Sequence, residues 1–222
     1  MRAILVCVLL HVVLATPAQA GAWMRDRGTG FIATSSTLRQ FPDYLGHETS
    51  VYAEYGLAQK LTVGLDYNQG SFSSGHAMLF ARVPLGKPRT RYRFSAELGL
   101  GLYFFGGFRE QMQKLTLSYG RNLETRFGHG WLAIDLASEF RQGLPGPTIK
   151  LDTTIGLSGT KRLQPMLQIE TSRPAIGPVN WAVIPSIRYR TKNNISWVIG
   201  AERKSVGNHK SIGVKLAFWK EF

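Results

Sequence analysis

The sequence predicts an all-β protein, a closed antiparallel up-and-down transmembrane β-barrel of about 12 strands. Three observations carry this. Apolar and polar residues alternate with a period of two in segment after segment, and each segment is bounded by turn residues. Of the 14 acidic residues, Glu54, Asp66, Glu97, Asp135, Glu139, Asp152, Glu170 and Glu202 sit mid-strand on the phase opposite the hydrophobics. The aromatics of the apolar phase gather near strand ends, among them Tyr55, Tyr67, Tyr92, Phe104, Tyr119, Phe140, Trp181, Tyr189 and Phe218. Rings placed in this way form the girdles that flank a lipid-facing band.

Residues 1–20 read as a secretory leader. Arg2 is its positive start, Ile4 to Ala15 its apolar run, and Ala18-Gln19-Ala20 a small-x-small cleavage site. The apolar run is too short to span a membrane as a helix. Cys7, the only cysteine, leaves with the leader, so the mature chain 21–222 has no disulfide, thiol nucleophile or cysteine-held metal. It keeps 26 of the 27 Lys and Arg residues against 14 acids, a net charge of about +12. Such an excess would suit nucleic acid, but an exported chain points to anionic lipid phosphates instead, including those of lipopolysaccharide.

The strands follow in order. Gly28 to Arg39 is a first strand of weak pattern, closed by a loop from Gln40 to His47 with Pro42 and Gly46 as breakers. Glu48 to Leu57 alternates cleanly, turns at Ala58-Gln59, and returns through Leu61 to Asn68. After a loop at Gly70 to Gly75, Ala77 to Leu85 runs back and turns at Gly86-Lys87-Pro88. Arg91 to Phe104 is long, with Phe94, Leu98 and Leu102 opposed by Arg91, Arg93 and Glu97. Gln113 to Arg121 follows. Asn122 to Gly130 then reads as the longest connection on the short-turn side. Trp131 to Arg141, Ile149 to Leu157, Leu163 to Thr171 and Trp181 to Arg190 complete the middle of the chain. Their connections are Gly143 to Pro147, Ser158-Gly159-Thr160, and a loop with Pro174 and Pro178. Lys192-Asn193-Asn194 turns into Ile195 to Glu202, and Gly207-Asn208 leads into the last strand. An even count returns both chain ends to one side, the periplasmic side in bacterial barrels.

Alternation alone also fits a soluble barrel with its apolar face inward. Twelve strands enclose more room than the eight whose interior side chains can fill, and the girdle places the apolar face outward. The last strand adds a resemblance. Ser211, Gly213, Leu216, Phe218 and the terminal Phe222 resemble the β-signal of outer-membrane barrels, a polar residue, Gly and spaced hydrophobics before a final aromatic. This implies recognition of Gly213, Leu216, Phe218 and Phe222 by the barrel-assembly machinery. Gly21-Ala22-Trp23, followed by Glu48 to Asp66, resembles a family of proteobacterial outer-membrane barrels. Some of these are labelled transporters and occur beside genes for aromatic-compound degradation. That resemblance covers about a fifth of the chain and implies fold and location but no substrate.

Catalytic chemistry is sparse. His209-Lys210-Ser211 has the His-x-Ser spacing that resembles outer-membrane lipid hydrolases, and side chains two apart on a strand share a face. Both fall on the inward phase, away from lipid, so the chain is not read as an enzyme. His47, His76 and His129 show no metal-ligand spacing, and no cofactor is expected. The functional signal is the polarity of the inward face. Lumen and selectivity candidates are the eight mid-strand acids together with Arg91, Arg93, Lys150, Arg188, Arg190 and Lys215; Arg82, Lys114 and Arg141 share the phase. Two functions follow from them. One is a narrow channel for small solutes, with the clustered arginines favouring anions. The other is a structural anchor or assembly barrel whose lumen is plugged by ion pairs.

Overall fold

The computed structural model describes residues 21–87, 91–159, 161–191 and 193–222. The expected leader, and parts of the turns around 88, 160 and 192, lie outside these residues. Twelve strands close in simple sequence order, and the first pairs with the last. They are β1 (Gly30–Gln40), β2 (Leu45–Ala58), β3 (Leu61–Gly70), β4 (Ser74–Leu85), β5 (Tyr92–Phe105) and β6 (Phe108–Thr125). The second half comprises β7 (Gly128–Arg141), β8 (Thr148–Leu157), β9 (Leu163–Arg173), β10 (Asn180–Arg190), β11 (Ile195–Val206) and β12 (His209–Glu221). Among the described residues no helix is long and apolar enough to cross a membrane; the strands cross instead.

The apolar phase faces out. Leu79, Leu98, Leu100, Leu115, Ile187, Ile199 and Val214 are each at least half exposed on the barrel exterior. The acidic and basic phase of the same strands is buried inside. A band of large exposed aliphatics around a closed barrel is a lipid-facing surface; in water it would far exceed the apolar patch a soluble monomer tolerates. Aromatic pairs lie towards its edges, with Trp197 edge-on to Phe218 at 5.3 Å and Phe94 tilted against Tyr119 at 5.2 Å.

One seam closes the ring. The β1–β12 ladder runs unbroken from Phe31–Glu221 to Gln40–Ile212. Gly30 and Phe222 then exchange backbone hydrogen bonds of 2.7 and 2.9 Å. The Phe222 ring lies where a Cβ on residue 30 would stand, which is why glycine suits that position. Another seam is interrupted. Between β10 and β11 the register passes from Val183–Arg203 to Ser186–Gly200 and skips Ile184 and Pro185. Proline has no N–H to give to a ladder.

The chain departs from the sequence expectation at two connections. Asn122 to Gly130 is not a long loop. β6 continues to Thr125, β7 starts at Gly128, and only Arg126-Phe127 lie between them. The two glycines that suggested a loop are ladder residues here, and Thr125 organises the turn by donating to the Gly128 carbonyl at 2.7 Å. The loop expected at Gln40 to His47 shrinks to residues 41–44, where Phe41 stacks on Tyr44 at 4.5 Å. Gly106 and Gly107, with φ of +56° and +93°, form the two-residue hairpin between β5 and β6.

Candidate functional site

The lumen has two differently built halves. The proximal half lies at the end that carries residues 21–30 and 222, and the distal half at the other end.

A segment with no strand period fills much of the proximal half. Residues 21–26 enter the barrel and cross beneath β2 to β7. Asp26 abuts Gly56 so closely that a Cβ there would overlap its carbonyl. Arg25 Nε donates to Glu54 Oε1 at 2.5 Å, and its backbone N–H donates to Thr62 Oγ1 at 3.1 Å. Trp23 is buried edge-on against Trp131, 6.4 Å between ring centres, with Ala22 and Ala133 around them. Gly120 leaves the room that the Trp23 ring occupies. The carbonyl of Gly21 accepts from Ser95 Oγ at 3.0 Å. Phe31 and Trp219 pack edge-on at 6.0 Å and line both the distal cavity and a small pocket on the proximal side.

Around this segment the charges form one connected chain. Glu54 Oε2 accepts from Arg82 Nη1 at 2.8 Å, and Arg82 Nη2 donates to Glu97 Oε2 at 2.7 Å. Tyr52 donates to Glu54 and accepts from Arg82. Lys114 Nζ lies 4.0 Å from Glu97 and 2.8 Å from Asp66, whose other oxygen is 3.1 Å from His76 Nε2. Arg82 and Glu97 face each other directly across β4 and β5.

The distal half is open. A cavity of about 830 Å³ reaches from rim residues such as Ser74, Phe105, Pro174 and Val206 to a floor that includes Gly21, Phe31, Trp131 and Trp219. On one wall Arg39 donates to Glu48 at 2.7 Å and binds Glu202 with two nitrogens, while Lys204 sits 3.6 Å from Glu48. On the opposite wall Glu139 takes Arg141 at 2.8 Å and Lys150 at 2.9 Å. Asp135, Asp152 and Glu170 lie between these two groups, and Lys215 faces them from β12.

A closed twelve-strand ring with an apolar exterior and a charged, partly filled interior is now complete. This is the fold of solved outer-membrane porins. The structure superposes on the COG4313 outer membrane channel from Pseudomonas putida F1 with a TM-score of 0.63, 9% identity, and coverage of 94% of this chain and 100% of that one. For the NanC porin the TM-score is 0.58 at 9% identity, and for the KdgM porin 0.57 at 14%. Each match covers 84% of this chain and 98% of the porin. No protein-family model and no curated protein matches the sequence.

The residues singled out from sequence distribute unevenly over this frame. Asp66, Glu97, Asp135, Glu139, Lys150, Asp152, Glu170, Glu202 and Lys215 line the distal cavity, while Glu54 lies below it, buried against Arg25 and Arg82. Arg91 is exposed in the turn before β5 and does not line the lumen. Arg188 and Arg190 flank a separate, very small pocket at the proximal mouth with Glu221 and Asn194. There Arg188 donates to Gln164 and lies 5.7 Å from the Trp219 ring centre. Arg93 points inward nearby, its Nε buried without a hydrogen-bond partner among the described residues. The arginines therefore share one end of the barrel, but the cavity is not lined by any of them.

Sequence reading missed Arg39 and Glu48. β1 alternates weakly through Ala33, Thr34, Ser35, Ser36 and Thr37, so its inward phase is marked only by Leu38 facing out and Arg39 facing in. Ser211 faces the lumen with its Oγ buried, and His209 is exposed at the start of β12, so neither is presented to lipid. Among the described residues no group of His, Cys, Asp and Glu could hold a metal ion.

Proposed function

We propose that this chain is an outer-membrane channel for small solutes, exported through the Sec route by its leader. The barrel-assembly machinery inserts it, reading Gly213, Leu216, Phe218 and Phe222, and anionic lipid and lipopolysaccharide surround it. The end carrying both termini is periplasmic and the 830 Å³ cavity opens to the outside. That cavity, walled by opposed charges inside a lipid-facing ring, is the observation that carries the reading. Its acids and bases nearly balance, so the cavity itself concentrates neither sign. The periplasmic mouth does, through Arg93, Arg188 and Arg190, and it favours anions. One solved neighbour, the KdgM porin, was captured with oligogalacturonate, which fits the anionic class. The early resemblance supports kinship with the transporter-type barrels encoded beside aromatic-degradation genes.

The test is conductance in planar bilayers, with reversal potential measured across a salt gradient. Anion preference should strengthen at low salt and fall in an Arg93→Ala, Arg190→Ala double variant. Cation selectivity would overturn the anionic assignment. A second reading, an anchor with a permanently closed lumen, is favoured by the packed proximal half. Absence of any conductance would select it.

A further inference from the structure

The inward carboxylates fall into two groups. Those at Glu48, Glu54, Asp66, Glu97, Glu139 and Glu202 each have a Lys, Arg or His partner. Asp135, Asp152 and Glu170 have no ion pair among the described residues, although Asp135 faces Asp152 across β7–β8 and Asp152 faces Glu170 across β8–β9. Like charges directly opposite on neighbouring strands repel, and no Lys, Arg or His comes within ion-pairing distance of this row among the described residues.

Gly21 lies at one end of the row. Its neighbours Ala22 and Trp23 are 2% and 6% exposed, its φ is +64°, and Ser95 holds its carbonyl. A Cβ on residue 21 would overlap Asp135 Oδ1. From standard bond lengths, the Gly21 nitrogen is then at most about 4.7 Å from that oxygen. Asp135 Oδ1 is itself buried and has no hydrogen-bond partner among the described residues.

We propose that leader removal supplies the direct ion-pair partner that Asp135 lacks: the new α-ammonium of Gly21 docks on Asp135 and latches residues 21–26 across the lumen. Hydrolysis of the Ala20–Gly21 bond consumes one water and leaves a carboxylate on Ala20 and an ammonium on Gly21. Before cleavage the same nitrogen is a neutral amide with one N–H and cannot neutralise the row. After it, three donors and a full charge face a buried carboxylate, and such a charge-assisted bond is among the stronger kinds. Processing thereby sets the floor of the cavity. The inference rests on the leader cleavage proposed above and is independent of whether the barrel conducts.

The test uses mature protein purified from outer membranes. Its intact mass reports where the chain begins. An amine-directed reagent near pH 7 then labels the α-amine in preference to lysines, whose ordinary pKa is about 10.4 against about 7.7–8.0 for the terminus. In folded wild type the label should enter on the order of tenfold slower than in denatured protein, because an ammonium held on Asp135 has no lone pair to react until local opening releases it. Asp135→Asn should lose that protection, and so should a chain with one alanine inserted before Gly21. Both should also unfold at lower temperature. A mature chain that begins elsewhere overturns the proposal, as does an α-amine that labels at the denatured rate in the folded wild type. Full protection retained in Asp135→Asn also overturns it. The wild-type comparison needs no variant to fold.

Discussion

The two halves of the lumen use the same side chains for opposite ends. In the network at the base of the cavity, where Arg82 and Glu97 reach its lining, the Glu54, Arg82 and Glu97 side chains are 0%, 3% and 6% exposed, and each reaches its partners with hydrogen-bonding geometry. In the distal half Arg39, Glu139 and Glu202 are nearly as buried as these, but their partners Glu48, Arg141 and Lys150, with Lys204, are 23–32% exposed. Water screens the second set and not the first. A buried pair loses heavily when one partner goes, because the other is left uncompensated. A pair open to water contributes little to stability, yet its field still acts on whatever enters the cavity. The proximal network therefore holds the barrel interior together, whereas the exposed distal charges can act on a solute while carrying little of the stability.

The largest expected effect tests the dry half. Arg82→Met leaves Glu97 with only Lys114 at 4.0 Å and Glu54 with Arg25 as its one remaining cation, and should cost about 3–5 kcal/mol, measured by urea unfolding in lipid vesicles. A loss no greater than that of a distal variant would erase the distinction between the halves. The next moves a charge through the wall. Leu98 adjoins Glu97 in sequence but faces outward, 53% exposed. Leu98→Arg should cost about 2–4 kcal/mol near the bilayer midplane. An unchanged unfolding midpoint would mean that this face does not meet lipid. The smallest effect sharpens the comparison from the wet side. Lys150→Ala should shift stability by no more than about 0.5 kcal/mol while moving the reversal potential towards cations. A large destabilisation without a selectivity change would place Lys150 with the structural set.

The strands and their faces were legible because a period of two leaves a mark in every segment. Leu98 and Glu97 could be sent to opposite faces from sequence alone. The pairing of charges could not. Arg39 meets Glu202 only because the ring closes β1 on β12 and brings β11 within reach, a fact of closure rather than of local pattern. Arg91 carries the correct phase but precedes the strand that would have turned it inward. The hairpin at Arg126-Phe127 was obscured because glycine in a ladder looks like glycine in a loop. The buried segment at Gly21 to Asp26 has no periodicity at all, and Trp23 could be noticed in the sequence but not placed. Its signal, in retrospect, is compensation elsewhere: Gly56 and Gly120 on inward phases, where only a bare Cα leaves room.

The skipped rungs at Ile184 and Pro185 have a mechanical meaning. A barrel is a hoop, and a hoop yields at its weakest joint. The joint that closes the ring, β1 with β12, is stitched along its whole length and pinned by Phe222 on Gly30. The slack lies on the other side of β12, between β10 and β11, where proline leaves a stretch of wall tied by side-chain packing instead of by backbone bonds. If lipid pressure or anything wedged in the lumen strains the wall, this gap lies away from the closing seam and offers fewer backbone bonds to resist it.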